Sequence, residues 1–410
     1  MSNWWIYGCC WCLSLLFIAV SVVLYSVCSV NWLGLLVFDG VSFYLSVLVF
    51  LLGCCSIVFN LSSVSRVSVW MLVLSLFFSV ACFHVNHSVL FWCFYELAML
   101  PLLYLLFRDS PYSERFVAGW YFSGYLLLTS LPLILVLSYM SFVGQTPVIS
   151  QWGFAGSHYW VLVLLGAIFF TKVPLCPFHT WLPIVHAEAT SIVSTCLSGY
   201  IMKLGVLGVF RFVAPAMGAT CGGYLTVCCV AGLMFLLAAA VELDGKRWLA
   251  VLSLSHIVIP FLGFFVCGWD NPHIIFFYSL GHGVAAGLVF GLLWVLYNQT
   301  NTRNWVLVKG GVNGRLSVLL VVFGLLTLSS FPPTIQFFSE VSLLTTSVGV
   351  VFYSCFWYLY LFVGGLVPLA LCGLLLIRTE TVEDQSLSWH GFGVYLLVYI
   401  VWVSGGVFFL

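Results

Sequence analysis

Long apolar segments separated by short polar ones run through the whole chain. Most of them reach the roughly 20 residues that a helix needs to cross a bilayer. Their apolar positions are continuous rather than alternating, which favours helices over the strands of a barrel. We therefore predict an all-α polytopic membrane protein with 13 transmembrane helices. The predicted spans are 4–30, 41–61, 67–84, 88–107, 116–140, 160–186, 190–213, 219–241, 248–268, 273–297, 316–350, 352–378 and 390–410.

The composition agrees with this class and excludes several functions. Of the 410 residues, 63% are hydrophobic and 6% are charged, whereas a soluble domain has roughly 25% charged residues. The formal net charge is zero and no basic cluster predicts nucleic-acid binding. The 16 cysteines are scattered and lack the spacing of a zinc or iron–sulfur site, and no glycine-rich nucleotide loop occurs. We expect no metal, cofactor or catalytic nucleophile on this chain.

The cations between the predicted spans lie on one face of the membrane. Each loop is numbered by the span that it follows. Nine of the 12 lysines and arginines fall in even-numbered loops or at their edges. Arg211 is the exception, and Lys172 and Lys203 lie within spans. Because short loops rich in Lys and Arg stay inside, this asymmetry places the N-terminus on the inner side and the C-terminus outside. The nine cations are Arg66, Arg108, Arg115, Lys246, Arg247, Arg303, Lys309, Arg315 and Arg378.

Two overlong spans at matching positions predict an internal repeat. Residues 160–186 and 316–350 are each the fourth span of a five-span unit, and each contains a proline pair. Corresponding broken helices in inverted halves are typical of ion transporters, although membrane helices also tolerate ordinary proline kinks. We predict N-terminal helices over 1–66, inverted repeats over 67–213 and 214–378, and a C-terminal helix over 379–410. The predicted breaks lie at Pro174, Pro177, Pro332 and Pro333.

Ionisable residues within the spans are the candidate functional groups. A central lysine or aspartate costs roughly 2.5–3.5 kcal/mol on insertion scales, so pairing within a polar interior is expected. Burial disfavours the charged form of both lysine and glutamate, an opposite charge favours it, and histidine transfers protons at neutral pH. The set therefore has the composition of a proton wire. The six candidates are Glu96, Lys172, Lys203, His256, His282 and Glu340.

Each candidate also has a structural interpretation. Glu96 and the two lysines would then form only structural ion pairs, and His256 and His282 would form interhelical hydrogen bonds. His179 and His186 follow Lys172 at intervals of seven residues, which would place all three on one face of a regular helix. The prolines leave open whether His179, His186 and Glu188 relay protons or only hold the break in shape.

Several segments carry a resemblance to a known family. The segments "FYELAMLP", "FFTKVPLCPFHTWLPIVHAEA", "YIMKLGVLGVFR", "DGKRWLAVLSLSHI", "GHGVAAGLVF" and "FPPTIQFFSE" occur in one order over residues 39–378. They resemble the antiporter-like membrane-arm subunits of mitochondrial NADH:ubiquinone oxidoreductase, respiratory complex I. The resemblance is to the subunit 4 branch, because the paralogous subunits usually have lysine where Glu340 stands. Thr190 departs from the proline that is usual in the family.

The resemblance implies a 14-helix core, one helix more than predicted here, and a charged axis formed by the six candidates. It implies an inner mitochondrial membrane location, and there the 13 predicted spans and the cation asymmetry place the N-terminus in the matrix and the C-terminus in the intermembrane space. FMN, iron–sulfur clusters and ubiquinone would be bound by other subunits of the complex. The expected partners are lipids and the antiporter-like subunits 2 and 5.

From this sequence we expect a proton-translocating subunit that couples electron transfer from NADH to ubiquinone, elsewhere in the complex, to proton pumping. One alternative is a subunit of a standalone cation/proton antiporter, which shares this ancestry. The other is a structural membrane subunit that does not transport protons.

Overall fold

The computed structural model describes residues 34–60, 64–152, 159–213, 219–267, 272–312, 315–377 and 389–409. These residues are almost entirely helical, and β-pairing among them is limited to isolated bridges. Within the described ranges, nine helices are long and apolar enough to cross a membrane, and three shorter helices are also apolar. The polytopic all-α class predicted from the apolar segments is therefore confirmed.

The helices are numbered here in chain order. They are α1 (Gly40–Asn60), α2 (Arg66–His84), α3 (Ser88–Asp109), α4 (Arg115–Val143), α5 (Tyr159–Lys172), α6 (Trp181–Glu188), α7 (Ser191–Val213), α8 (Ala219–Val241), α9 (Gly245–Val266), α10 (His273–Thr300), α11 (Arg315–Leu328), α12 (Ile335–Ser347), α13 (Val351–Leu376) and α14 (Trp389–Phe409).

The predicted spans match these helices closely. Twelve of the 13 coincide with α1–α14 once α5 with α6, and α11 with α12, are taken as the two broken spans. The predicted span 4–30 lies outside the described residues. No boundary of the other spans differs by more than three residues, and α9 begins at Gly245 rather than residue 248 because the Asp244 side chain accepts the backbone N–H of Lys246 at 2.9 Å.

The chain divides into two compact units. Among the described residues, those from 34 to 181 and from 188 to 223 form unit 1, and those from 182 to 187 and from 224 to 409 form unit 2. The two breaks lie in different units, the first over residues 173–180 in unit 1 and the second over residues 329–334 in unit 2, whereas most of α6 belongs to unit 2. In unit 1, α2, α3 and α7 are joined by a hydrogen-bonded chain in which the Ser75 hydroxyl contacts the Tyr200 hydroxyl and the Ala98 carbonyl oxygen. In unit 2, α10 packs against α11, α12 and α14.

Both predicted breaks are present. Helix α5 ends at Lys172 and α6 begins at Trp181, whereas α11 ends at Leu328 and α12 begins at Ile335. Proline lacks the N–H that would continue a helix, and its ring clashes with the preceding turn. Both proline pairs lie in the nonhelical residues between these helices, at Pro174 and Pro177 and at Pro332 and Pro333.

The two breaks share a backbone hydrogen-bonding pattern. The Leu175 N–H donates to the Phe170 carbonyl at 3.1 Å, and the Phe331 N–H donates to the Leu326 carbonyl at 3.3 Å. Three residues further on, another N–H donates to the carbonyl of Leu175 or Phe331, at 2.7 and 3.1 Å. These bonds pair carbonyl groups that a broken helix would otherwise leave unsatisfied. Locally, the same closure ends α5 and α11.

Glycines on α7 allow close packing in unit 1. A Cβ atom at Gly205 would lie 2.5 Å from Val173 Cγ2 and 3.4 Å from the Val173 backbone nitrogen, at the start of the first break. A Cβ atom at Gly208 would lie 2.3 Å from the Phe169 ring. Small residues are typical where membrane helices approach closely. The position of the first break therefore depends on α7.

We predict that Gly205→Ala destabilises the protein, because the new methyl group requires Val173 and its backbone to move. Overpacking of this kind costs about 1–3 kcal/mol. Thermal unfolding in detergent should show a lower midpoint than wild type. Gly124→Ala on α4 is the matched control, since a Cβ atom there meets no atom within 4 Å. Equal midpoints for both variants would contradict the proposed packing.

Candidate functional site

Lys172 is the last residue of α5, immediately before the first break, and only 5% of it is exposed. Its ammonium group lies 3.7 Å from Met99 Sδ and 5.7 Å from the centre of the Tyr95 ring. Sulfur is a weak acceptor and a ring face attracts a cation only modestly. The structure therefore buries this lysine among soft, polarisable partners on α3.

Glu96 lies on α3, the same helix as Tyr95 and Met99, and is half-buried. The ion pairs among the described residues do not include Glu96 with Lys172. The buried Oε1 atom of Glu96 has no hydrogen-bond partner among the described residues. Glu96 and Lys172 are therefore neighbours across α3 and α5 whose charges are not in direct contact in this structure.

A small cavity adjoins Lys172 in unit 1. The Trp181 indole, at the start of α6, forms part of its wall and donates to the Thr171 carbonyl at 3.0 Å. This hydrogen bond holds the two ends of the break together. The cavity is lined by Met99, Phe122, Tyr125, Leu126, Lys172, Trp181 and Ile201.

Lys203 lies on α7, which contains two π-helical turns. One covers Leu197–Ile201, and the Lys203 ammonium donates to the Ser198 carbonyl within it at 2.7 Å. π-turns are rare and frequently mark functional positions. The local backbone thus provides an acceptor for a lysine that is 1% exposed.

His256 lies at a third helix interruption, which was not predicted from the sequence. Helix α9 is interrupted at Ile257 and continues from Val258. Pro260 lacks the N–H that would bond the His256 carbonyl four residues earlier. The Tyr278 hydroxyl donates to this carbonyl instead, at 3.2 Å. The spacing of histidine and proline in "HIVIP" was the signal for this interruption.

Glu340 belongs to a buried polar cluster in unit 2 and lies on α12, one turn after Gln336. The Gln336 amide nitrogen lies 2.9 Å from Glu340 Oε1 and 3.3 Å from His256 Nδ1. The Tyr360 hydroxyl, from α13, is hydrogen bonded to His256 Nδ1 and donates to Glu340 Oε1 at 3.4 Å. Gln336 and Tyr360 therefore both connect the histidine to the carboxyl group.

His282 completes this cluster from α10. Its ring centroid lies 5.4 Å from that of His256, and the ring stacks on Tyr278 at 6.4 Å. Three of the six predicted candidates, His256, His282 and Glu340, lie together in unit 2. Glu96 and Lys172 lie together in unit 1. Thus four helices, α9, α10, α12 and α13, contribute to the unit 2 cluster.

The three possible relay residues have different surroundings. His179 is half-buried within the first break. His186 is fully buried on α6, where its ring stacks on Phe290 at 5.3 Å. Glu188 is buried at the end of α6, and its carbonyl accepts the Ser110 hydroxyl at 2.5 Å. The break removes the regular helix that would place both histidines on one face with Lys172.

Gln336, Tyr278 and Tyr360 were not predicted as site residues. Tyrosine and glutamine in an apolar span do not stand out from ordinary packing residues until the structure shows their contacts. Lys246 was assigned to a loop but is only 4% exposed, at the start of α9. Nearby, Arg303 pairs with Asp244 at 3.2 Å and donates to the Ala187 carbonyl. The sequence "DGKR" indicates that Asp244 caps the start of α9, but it does not indicate that Lys246 is buried.

Glu96 and Lys172 form the unit 1 cluster, and Glu340 with its partners forms the unit 2 cluster. Both clusters contain groups that can transfer protons. Lysine, histidine and glutamate can each gain and lose a proton, and hydroxyl and amide groups connect them. Among the described residues, no group of three or more His, Cys, Asp and Glu side chains is placed to hold a metal ion.

Relatives of known sequence are similar to this chain over much of its length. A chain named NADH-ubiquinone oxidoreductase chain 4 from Locusta migratoria is 28% identical over 362 residues, covering 83% of this chain and 81% of its own length. A chain of the same name from Acanthamoeba castellanii is 29% identical over 272 residues, covering 64% and 54% respectively. The relatives are thus matched over about half to four-fifths of their length.

Solved structures share the fold. A chain of respiratory complex I from Thermus thermophilus with bound NADH superposes with a TM-score of 0.78 at 22% identity, covering 91% of this chain and 83% of that chain. A chain of the Mrp complex from a Dietzia species gives 0.77 at 15% identity, covering 98% and 90%. A family model described as NADH:quinone oxidoreductase/Mrp antiporter, TM, matches residues 85–367, including all six candidate residues. The chain therefore belongs to the NADH:quinone oxidoreductase/Mrp antiporter family.

Proposed function

We propose that this chain is the proton-translocating subunit 4 of an NADH:ubiquinone oxidoreductase, spanning the inner mitochondrial membrane many times. The observation that carries this proposal is the pair of buried clusters, one in each unit, built around Lys172 and Glu340. The names of the relatives support the choice of enzyme. Electron transfer from NADH to ubiquinone takes place elsewhere in the complex and drives the proton movement.

In unit 1, the contact between Glu96 and Lys172 controls the lysine proton. An opposite charge favours the protonated lysine, and its withdrawal favours proton loss. The structure has the pair open, with the ammonium against Met99. Movement of α3 relative to α5 changes the distance between these charges.

The complete path that we propose passes from Lys172 to Lys203 and then through His256 and His282 to Glu340. Lys203 has a backbone acceptor within reach, so it can hold a proton at low cost. Glu340 receives the proton last and releases it on the outer side. The inverted repeats predicted over 67–213 and 214–378 would place one half of the path in each repeat. The similar closure of the two breaks supports this arrangement.

The redox groups belong to other subunits in this proposal. FMN, the iron–sulfur clusters and ubiquinone are bound elsewhere, and this chain contributes proton-transferring side chains alone. Its neighbours in the membrane arm are the antiporter-like subunits 2 and 5, together with lipids. Exposed apolar side chains on α4, such as Trp120, Leu128 and Phe142, support contact with lipid or apolar helices.

The N-terminus lies in the matrix and the C-terminus in the intermembrane space in this proposal. Arg66, Arg115 and Arg315 are the first residues of α2, α4 and α11. The helix dipole disfavours cations at that end, so helix electrostatics does not explain these positions. The preference of membrane proteins for basic residues in loops on the inner side explains the positions of these arginines.

We predict that Lys172→Met and Lys172→Arg both stop pumping through this chain. Methionine cannot carry a proton, and a guanidinium group does not release its proton in proteins. Loss of a proton-transfer group slows the transfer roughly 10²–10⁴-fold. The measurement is the number of protons pumped per electron by the assembled complex in sealed vesicles, with NADH oxidation followed in parallel.

The arginine variant separates proton transfer from a structural role. A lysine that served only as a positive charge would be replaced by arginine with little loss of pumping. Lys309→Met is the matched control, since Lys309 lies in a short helical turn between α10 and α11 and is not one of the six candidates. Normal pumping by Lys172→Arg would contradict the proposed role of Lys172.

The similarity to the Mrp complex chain supports a standalone antiporter as the second candidate. Purification through an affinity tag on this chain distinguishes the two. We expect flavin-containing subunits and NADH:ubiquinone reductase activity to copurify in one stoichiometric complex. A complex without flavin that exchanges cations for protons would favour the antiporter.

We predict that a C-terminal epitope tag is cleaved by protease added to mitochondria whose outer membrane has been opened. The tag should be protected only when the outer membrane is intact. A tag on the N-terminus should stay protected until the inner membrane is also dissolved. The reverse pattern would contradict the proposed orientation.

A further inference from the structure

Tyr360 lies between two residues of the proposed path in unit 2 but is not itself part of that path. Its hydroxyl oxygen is hydrogen bonded to His256 Nδ1 and lies 3.4 Å from Glu340 Oε1. The side chain is 2% exposed, so bulk water does not compete for these contacts. One hydroxyl group thus touches both a histidine and a carboxyl group that exchange protons in the proposed path.

The aromatic ring fixes the place of this hydroxyl. Phe356 stacks on the Tyr360 ring at 5.6 Å, one turn earlier on α13. Trp357 and His256 meet the ring edge-on, at 5.7 and 5.8 Å. With the ring enclosed on these sides, the remaining freedom is rotation of the O–H bond. That rotation changes which partner receives the hydroxyl proton.

We propose that the Tyr360 hydroxyl carries the proton between His256 and Glu340. This inference rests on the proposed function of the chain as a proton-translocating subunit. A phenol has one O–H donor and lone pairs that accept. It can therefore accept a proton on one side while it donates its own on the other. Tyr360 is thus a further proton-transfer residue on the exit side of the path.

The transfer conserves protons. The Nδ1–H bond of protonated His256 breaks and a new O–H bond forms on Tyr360, while the original Tyr360 O–H bond breaks and its proton joins Glu340 Oε1. His256 becomes neutral, Glu340 becomes a neutral acid and tyrosine is regenerated. The new O–H bond then points toward His256. It must rotate back toward Glu340 before a second proton can follow, which limits transfer to one proton at a time.

Gln336 holds the acceptor in place without carrying the proton. Its amide nitrogen donates to Glu340 Oε1 at 2.9 Å, the same oxygen that faces Tyr360. An amide N–H does not lose its proton under these conditions, so this contact orients the carboxyl group but offers no parallel route. The Tyr278 hydroxyl donates to the His256 carbonyl at 3.2 Å and lies 3.5 Å from His256 Nδ1, so its contacts are with His256. Tyr360 is the hydroxyl in this cluster with an ionisable partner on each side.

The test is Tyr360→Phe in the assembled complex, which removes one oxygen and leaves the ring. We expect NADH oxidation to continue while protons pumped per electron fall as far as in Glu340→Gln, because the transfer slows on the order of 10²-fold. Tyr353→Phe is the matched control. It is also a buried tyrosine on α13, two turns earlier, and its ring packs against Phe265.

The outcomes separate this inference from the proposed function. Normal pumping by Tyr360→Phe, with pumping lost in Glu340→Gln, would overturn the role of Tyr360 and leave the path in place. Normal pumping by both variants would overturn the role of the unit 2 cluster as well. Equal losses in Tyr360→Phe and Tyr353→Phe would assign the effect to packing and also overturn the inference.

A measurement on the wild-type complex tests the inference if Tyr360→Phe does not assemble. Infrared difference spectra recorded during turnover, with ring-deuterated tyrosine, report whether a tyrosine band changes together with carboxyl protonation. We expect the two changes to appear with the same time course. A carboxyl change without any tyrosine change would contradict the relay.

Discussion

The structure depends on the cost of placing ionisable groups in an apolar interior. Each such group needs a polar partner, because hydrocarbon offers none and unsatisfied charges cost several kcal/mol. Lys172, Lys203 and Glu340 are all buried, and each lies within reach of polar or polarisable atoms supplied by another part of the chain or by an altered helix turn. The arrangement of helices around these groups follows from that requirement.

Helix interruptions lie beside several of these ionisable groups. The first break follows Lys172, a π-turn supplies the acceptor for Lys203, and the proline-linked interruption of α9 begins at His256. In each case the backbone departs from the regular pattern at an ionisable side chain. The second break lies one turn and a half before Glu340, and the Thr334 side chain caps the helix that carries it. Irregular backbone at membrane depth is tolerated only where protein or water satisfies it.

The sequence predicted the helices and the two proline breaks well, because apolar length and proline chemistry are local properties. It also identified the ionisable residues, since charges are rare in such segments. It did not predict that Tyr360 and Gln336 would join His256 to Glu340, because these residues lie on different helices and have ordinary neighbours in sequence. The burial of Lys246 was missed for the same reason. Interruption of α9 could have been predicted from Pro260, four residues after a histidine.

We propose that buried ionisable groups in the two units form one path for protons. The most direct measurement is a structure of the intact complex at a resolution that reveals ordered water, determined in resting and turnover states. We expect hydrogen-bonded water and side chains to continue from Glu96 through the lysines and histidines to Glu340 in at least one state. Dry apolar gaps that separate these residues in every state would contradict the proposal.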